Sequence, residues 1–452
     1  MENPINVTFV YADSNQEWNT SQYRALNFSD ALNVAGHTGR LIHISGFMDY
    51  LSPAIQEIIA PADLVVIQRN IINQGVIDAM RYWIGLGKPM AVDLDDDYLG
   101  LPFSNPAQPF WIQNSAKLDP PPLVTLSEGL RITNALLSPN HNILRDWSHV
   151  TRGYYMPNYM RDEWWTDLPT RAEMKERLGL SDKIIIGWGG SVSHYDSWWG
   201  SGLREAAVGI ARAYPQVVFL ICGNDTRIFN QLDIPLANKR YHPGVPPGDW
   251  PKLVRAFDIG VAPLSGTFDQ RRSWIKTMEY GLAEVPWCAS EGLVYQEHAG
   301  LGQLLPCEPV QWEAALRRTI EQLPTLQAKA VVQSEFYRDF LMSKRIADVV
   351  AVYREIINNF SGDHGELPGV TWVKAKPEPA KEVASLPLVL PEAEVVKPAP
   401  TATELANANY RHLYYLENHM PQVAFLGVEL PRAFTYDLIQ LCNDALLKEV
   451  LV

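Results

Sequence analysis

Residues 64–93 have the sequence LVVIQRNIINQGVIDAMRYWIGLGKPMAVD and contain one complete strand–helix–strand pattern. Residues 64–68 and 89–93 are short, mostly apolar runs that are typical of buried strands. Residues 75–85 between them have the apolar spacing of an amphipathic helix. Because two parallel strands need a crossover that covers the sheet, this order predicts a βαβ unit.

The alternation continues on both sides of this unit. Further strands are predicted at residues 7–11, 40–44 and 132–137, and a second series at residues 183–188, 217–222, 258–263 and 287–289. Helices are predicted at residues 202–214, 273–283 and 311–323, with long helical patterns from residue 327 to residue 360. The sequence therefore predicts two consecutive doubly wound α/β domains that join near residue 160.

Composition and net charge argue against several classes of protein. The chain has 452 residues, of which 47% are hydrophobic, and 38 basic against 51 acidic residues give a net charge of −13. This charge argues against a nucleic-acid coat or a binder of anionic membranes. We expect no membrane span, since no apolar run approaches the roughly 18 residues that a span requires. We also expect no signal peptide, since Met1-Glu2-Asn3-Pro4 lacks a basic n-region. The cysteines form no CxxC pair, so we expect reduced thiols and a cytoplasmic protein.

Composition changes after residue 360. Residues 361–400 contain seven prolines, which predicts an extended linker. Residues 401–452 contain two amphipathic helical patterns, at residues 403–419 and 435–451. This segment is short for an independent core, so we expect it to dock on the main body or on a partner, including a second copy of the chain.

A cluster of cations stands at the start of a predicted helix in residues 268–281, FDQRRSWIKTMEYG. Ser273 is a suitable N-cap for this helix. Arg271, Arg272 and Lys276 then crowd an end at which the helix dipole disfavours positive charge. An anion bound by the helix N–H groups and these cations would explain the arrangement. A solvated, charged surface is the alternative.

A strand runs into a glycine turn at residues 184–191, IIIGWGGS. Gly189 and Gly190 would let a phosphate or a sugar approach the backbone closely. The dinucleotide fingerprint is absent because Val192 replaces its third glycine, and no P-loop lysine follows. A simple tight turn is the alternative. His194 in the same loop could act as an acid or base, or be structural.

Carboxylates at two places could bind a sugar. Residues 92–97, VDLDDD, stand at the carboxyl end of a predicted strand, where open α/β sheets bind ligands. Asp95 and Asp96 could act as a base, bind a metal or accept hydrogen bonds from hydroxyls; turn capping and solvation are the alternative. Glu279, one turn after Lys276, could accept hydrogen bonds from a sugar diol or form a weak i,i+3 ion pair.

In their order and spacing, these motifs resemble the GT-B glycosyltransferases, in particular the retaining type called glycosyltransferases group 1. The resemblance covers roughly residues 5–360 and is carried by residues 92–97, 156–158, 185–191 and 258–264 and by Lys276-x-x-Glu279.

The resemblance implies two Rossmann-like, doubly wound domains that face a cleft. Residues 1–158 would form the acceptor domain and residues 159–340 the nucleotide-sugar donor domain. Residues 341–360 would form a closing helix that crosses back to the first domain. The linker and the helical segment would follow as residues 361–400 and 401–452.

The resemblance also implies roles for individual residues. Glu279 matches the second Glu of the family's E-x7-E motif and would bind the donor ribose, whereas Arg271 stands in place of the first Glu. Gly189 and Gly190 match the turn that lies against the donor diphosphate. Asp95 occupies the place of a histidine near the reacting centre in many relatives. The expected donor-binding set is Gly189, Gly190, Ser191, Arg271, Arg272, Ser273, Lys276 and Glu279, with Asp95 and Asp96 as catalytic residues and Trp188 and His194 in the cleft.

The implied reaction is transfer of a sugar from a nucleotide sugar, a UDP-sugar, with retention of the anomeric configuration and without a metal or cofactor. The acceptor stays open among a glycan, a small molecule, a protein and a modified nucleic acid. Two other functions also stay open. One is a GT-B nucleotide-sugar epimerase, and the other is a non-catalytic sugar-binding or scaffold protein in which Arg271 marks lost activity.

Overall fold

The computed structural model describes residues 3–14, 19–133 and 135–360. The expected linker at residues 361–400 and the helices expected within residues 401–452 lie outside this part of the chain. Within the described residues the chain forms two parallel sheets of six strands each. None of the described helices is both long and apolar enough to cross a membrane.

The first sheet has the strand order β2-β1-β3-β4-β5-β6. Its strands are β1 Asn6–Tyr11, β2 Thr38–His43, β3 Leu64–Gln68, β4 Met90–Asp93, β5 Leu136–Ser138 and β6 Gly153–Tyr155. The α-helices around it are α1 Asn19–Ser21, α2 Asn27–Val34, α3 Ile44–Phe47, α4 Pro53–Ile59, α5 Gln74–Gly85, α6 Pro122–Thr133 and α7 His141–Asp146. Two π-helical turns, Gln22–Leu26 and Pro109–Gln113, and a 3-10 turn, Ser115–Lys117, complete this part.

The second sheet has the strand order β12-β11-β10-β7-β8-β9. Its strands are β7 Ile184–Gly189, β8 Val217–Gly223, β9 Lys239–Pro243, β10 Ile259–Ala262, β11 Trp287–Ser290 and β12 Gln303–Leu305. The α-helices of this part are α8 Asp162–Trp165, α9 Arg171–Arg177, α10 Tyr195–Gly200, α11 Leu203–Ala213, α12 Arg227–Gln231, α13 Trp250–Arg255, α14 Gly266–Asp269, α15 Ile275–Leu282, α16 Pro309–Glu321 and α17 Leu323–Arg338. Its 3-10 turns are Val192–His194, Leu236–Asn238 and Leu293–His298. The last helix of the described chain, α18 Met342–Asn359, packs on the first sheet.

Two parallel six-stranded sheets flanked by helices confirm the predicted fold class, with local corrections. The strand predicted at residues 132–137 starts only at Leu136, because α6 extends to Thr133. β6, β9 and β12 were not predicted, since two of them are three residues long and β9 is a partly exposed, polar edge strand. The helix expected to start after Ser273 starts at Ile275, so Ser273 is not its N-cap.

The chain passes between the two sheets twice, and the two passages are hydrogen-bonded to each other. The Met160 N–H donates to the Phe340 carbonyl at 3.1 Å, and the Met342 N–H donates to the Met160 carbonyl at 2.8 Å. α18 then packs on the first sheet, where the rings of Tyr353 and Phe9 have centroids 6.1 Å apart. The last described helix therefore closes the apolar core of the first sheet.

The loop that joins β10 to α15 is docked on the first sheet. Phe268 is 6% exposed and belongs to the same apolar cluster as residues of α5 and α6. The Asn140 amide donates to the carbonyls of Gln270, at 3.1 Å, and Arg272, at 2.7 Å. The Asn142 amide donates to Gln270 at 2.7 Å. These contacts fix the loop before α15 on the opposite side of the cleft from its own sheet.

A fully buried guanidinium joins the two halves at the base of the cleft. Arg24 donates two hydrogen bonds to Asp93, at 2.9 and 2.7 Å, and its Nη1 donates to the Met156 carbonyl at 2.7 Å and to Asn158 Oδ1 at 2.9 Å. Asn158 in turn donates to Ser273 Oγ at 3.1 Å. The end of β4, the passage between the sheets and the start of α15 thus form one network.

We predict that Arg24→Met lowers the free energy of unfolding by about 3–5 kcal/mol, because the buried Asp93 carboxylate loses its counter-charge. Urea denaturation followed by circular dichroism measures this change. The control is Arg152→Met, which breaks a pair between Arg152 and Glu355 with side chains 54% and 49% exposed. That change should cost about 1 kcal/mol or less. Equal effects of the two substitutions would contradict the role given to Arg24.

Candidate active site

A cavity of about 770 Å³ lies between the two sheets. It follows the carboxyl ends of strands from both, which is where open α/β sheets bind ligands. The first half of the chain contributes Thr20, Gln22, Tyr23, Arg24, Arg69, Asp95, Asp96 and Asn158. The second half contributes the turn after β7, the residues after β8 and β9, and the first turns of α13 and α15.

The glycine turn after β7 is packed too closely for any side chain. A Cβ on Gly189 would lie 2.0 Å from the Trp250 ring. A Cβ on Gly190 would lie 2.8 Å from the Trp188 ring and 3.0 Å from Lys276 Nζ. Both glycines line the cavity, so their backbone is open to a ligand there.

Lys276 and Glu279 are buried one turn apart on α15, with 7% and 6% exposure. Lys276 Nζ donates to the Gly189 carbonyl. Burial lowers the pKa of Lys276 to about 8, although the Glu279 charge opposes this shift. Burial raises the pKa of Glu279 to about 7 against the Lys276 charge and hydrogen bonds from Trp250 and Tyr23. α15 thus presents a cation suited to phosphate and a carboxylate suited to a diol.

Arg272 is held by three partners at the edge of the cavity. Its Nε donates to Asp269 at 2.8 Å, and Nη2 donates to the Ser193 carbonyl at 2.7 Å. Its Nη1 lies 3.1 Å from His194 Nε2. Because a guanidinium only donates, His194 Nε2 accepts, and the ring proton is on Nδ1. Burial, then the charges of Arg272 and Lys276, hold the pKa of His194 well below its usual value.

The two predicted catalytic aspartates lie in the cavity wall opposite α15 and differ in their surroundings. Asp95 accepts a hydrogen bond from Thr20 Oγ1 at 2.7 Å, and its carboxylate lies 4.0 Å from the Arg69 guanidinium. None of the described residues donates a hydrogen bond to Asp96. Burial and then the Asp95 charge raise the pKa of Asp96 to about 7, against the Arg272 charge. Asp96 therefore keeps its full capacity to accept hydrogen bonds from a ligand hydroxyl.

The structure places most of the predicted site residues in the cavity wall, but two of them lie elsewhere. Gly189, Gly190, Ser191, His194, Arg272, Ser273, Lys276, Glu279, Asp95 and Asp96 line the cavity. Arg271 does not, because its guanidinium is bound by Asp146 at 2.5 Å and Asp97 at 3.3 Å. Trp188 is buried behind the wall, with its ring edge-on to the His194 ring. The expected cluster of three cations is thus reduced to Arg272 and Lys276.

Sequence reasoning missed the contribution of the first-domain loops. Thr20 and Tyr23 follow β1, and Arg69 directly follows β3 with a positive φ of 34°, a conformation that costs energy for a non-glycine residue. Trp250 was also missed, although it opens the first turn of α13. The sequence does contain a signal for Thr20, Tyr23 and Arg69, because they follow the carboxyl ends of β1 and β3, where open α/β sheets bind ligands.

In the described ranges, no group of three or more His, Cys, Asp or Glu side chains is placed to hold a metal ion.

No family model matches the sequence, and no curated protein matches it. Solved structures, in contrast, share its fold. HepE of Anabaena in complex with UDP has a TM-score of 0.54 at 14% identity, over 77% of this chain and 100% of that chain. WaaG, a glycosyltransferase involved in lipopolysaccharide biosynthesis, has a TM-score of 0.55 at 13% identity, over 79% and 100%. Sucrose-phosphate synthase from Thermosynechococcus elongatus has a TM-score of 0.51 at 13% identity, over 79% of this chain and 100% of that chain. The chain has the GT-B fold, as its motifs led us to expect.

We predict that the His194 ring stays neutral at pH 6, because burial and two neighbouring cations oppose its protonation. Histidine NMR should show a proton on Nδ1 and no imidazolium shift down to that pH, with the signal assigned by its loss in His194→Asn. In unfolded chains histidine has a pKa of about 6.5, so protons bind the unfolded state preferentially below that pH. Stability is therefore lost as pH falls, by at most about 1.4 kcal/mol per pH unit, and His194→Asn should reduce this slope. An imidazolium signal at pH 6 would contradict the assignment.

Proposed function

We propose that the chain is a glycosyltransferase that moves a sugar from a UDP-sugar to an acceptor, with retention and without a metal or cofactor. The observation that carries the proposal is the composition of the cavity between the sheets. Lys276, Arg272 and Glu279 stand around a glycine turn on one wall, and Asp95 and Asp96 stand on the other. Among proteins of the same fold, HepE has been solved with UDP and with UDP-glucose.

The leaving diphosphate gains negative charge as the glycosidic bond breaks. Lys276 uses one N–H on the Gly189 carbonyl, so two N–H groups remain for phosphate oxygens. Arg272 donates three of its five N–H groups to protein atoms, and these bonds fix its orientation. Its other two N–H groups remain available for phosphate oxygens. Cations held in place before the reaction stabilise the transition state without reorganisation.

The sugar and the acceptor would lie toward the first-domain wall. Asp96 has free lone pairs for a hydroxyl, whereas Asp95 is held by Thr20. Its raised pKa lets Asp96 be ionised or protonated near neutral pH, so it can accept or donate a hydrogen bond there. A cytoplasmic location belongs to the same proposal, because the described cysteines are free thiols.

We expect Lys276→Ala to weaken UDP binding by about 1.5–3 kcal/mol, the scale of hydrogen bonds to charged groups. Isothermal titration calorimetry with UDP measures this. Lys252→Ala is the matched control, since Lys252 is 47% exposed and pairs with Asp249 outside the cavity wall. Equal UDP affinity of wild type and Lys276→Ala, with both proteins folded, would remove Lys276 from the donor site.

Turnover separates the proposal from its alternatives. A transferase releases UDP from a UDP-sugar when an acceptor is added. An epimerase converts the UDP-sugar without needing an acceptor, and a scaffold protein binds without turnover. Screening UDP-glucose against pools of glycans, small molecules, proteins and modified nucleic acids, with UDP release as the readout, therefore tests the function and narrows the acceptor class. UDP binding without acceptor-dependent release across these pools would count against a transferase.

A further inference from the structure

We infer that Tyr23 is a positioning residue that acts across the cleft: its phenol holds Glu279 and so completes the ribose site of the nucleotide from the opposite domain. The inference rests on the proposed function, in which Glu279 binds the ribose hydroxyls. It adds a residue of the first half of the chain to a site otherwise built from the second half.

Hydrogen bonds of two nearby residues, Ser21 and Arg24, anchor the segment that carries Tyr23. Tyr23 belongs to the π-helical turn Gln22–Leu26, and such turns redirect side chains relative to a regular helix. On one side Ser21 Oγ donates to Gln68 at 2.7 Å. On the other side the Arg24 guanidinium is bound to Asp93 in the first-domain core. These two anchors hold the turn that carries Tyr23.

The Tyr23 side chain leaves this turn toward the other half of the chain. Its ring packs against the apolar cluster of the second sheet, and its O–H donates to Glu279 Oε1 at 3.4 Å. This distance is longer than the roughly 2.5–3.0 Å of a typical O–H···O hydrogen bond, so a small approach of the two sheets would shorten and strengthen the contact.

The hydrogen bond from Tyr23 helps to orient the Glu279 carboxylate. Lys276, one turn earlier on α15, is its natural ion-pair partner, but the ammonium donates to the Gly189 carbonyl instead. Tyr23 and Trp250 hold the carboxylate. A carboxylate has about four lone-pair sites, so Glu279 keeps acceptor capacity for a diol. Tyr23 thereby keeps Glu279 ready for ribose and leaves Lys276 for phosphate.

The test is Tyr23→Phe, which keeps the packed ring and removes the hydroxyl. Calorimetry should show UDP binding weakened about fivefold to tenfold, and binding of 2′,3′-dideoxy-UDP changed by less than about twofold. Tyr214→Phe is the matched control, because the Tyr214 phenol donates to Glu321 at 3.0 Å outside the cavity wall. It should change neither affinity.

A double-mutant cycle gives the second measurement. If Tyr23 acts through Glu279, then Tyr23→Phe in a Glu279→Gln background has little further effect on UDP affinity. Equal weakening of UDP and 2′,3′-dideoxy-UDP by Tyr23→Phe, no weakening of either, or additive effects in the cycle would overturn the inference. Failure of the wild-type protein to bind UDP, or equal wild-type affinity for the two ligands, would instead count against the proposed donor site itself.

Discussion

The buried guanidinium of Arg24 sets the geometry on which the candidate site depends. It binds Asp93 at the end of β4 and the Met156 and Asn158 oxygens in the passage between the sheets. Asn158 extends this network to Ser273, just before α15. A charge buried this deeply is tolerated only when its partners are all in place, so the network specifies how the two sheets meet. α15 carries Lys276 and Glu279, and their placement therefore depends on the first domain.

The loop before α15 also makes the placement of α15 depend on the first domain, because the loop is docked on the first sheet. Phe268 lies in the core of the first sheet, and the amides of Asn140 and Asn142 hold the backbone of the loop. The result is a cavity whose charged groups are largely fixed and partly dehydrated. Electrostatic interactions are stronger in such surroundings. The loss of hydration also moves the pKa values of Lys276 and Glu279 toward neutrality, although the attraction between the two charges opposes both shifts.

The fold was accessible from the sequence because buried parallel strands are short apolar runs; β3 was predicted to the residue. Polar edge strands such as β9 lack that signal. In the site, glycine turns and strand ends mark positions that local sequence can identify. The direction in which a side chain points cannot be predicted in this way, because it depends on tertiary contacts. Arg271 lies outside the cavity because Asp146 and Asp97 bind it. Tyr23 reaches the cavity from a π-helical turn, and the spacing of neighbouring residues predicts neither position.

A crystal structure with UDP bound tests the proposed donor site most directly. We expect diphosphate oxygens within hydrogen-bond distance of Lys276 Nζ and beside the Gly189–Gly190 backbone. We also expect the ribose hydroxyls to bind Glu279, with the Tyr23 phenol on the same carboxylate. UDP bound elsewhere on the folded protein, or in this cavity with its diphosphate away from Lys276, would contradict the proposed donor site.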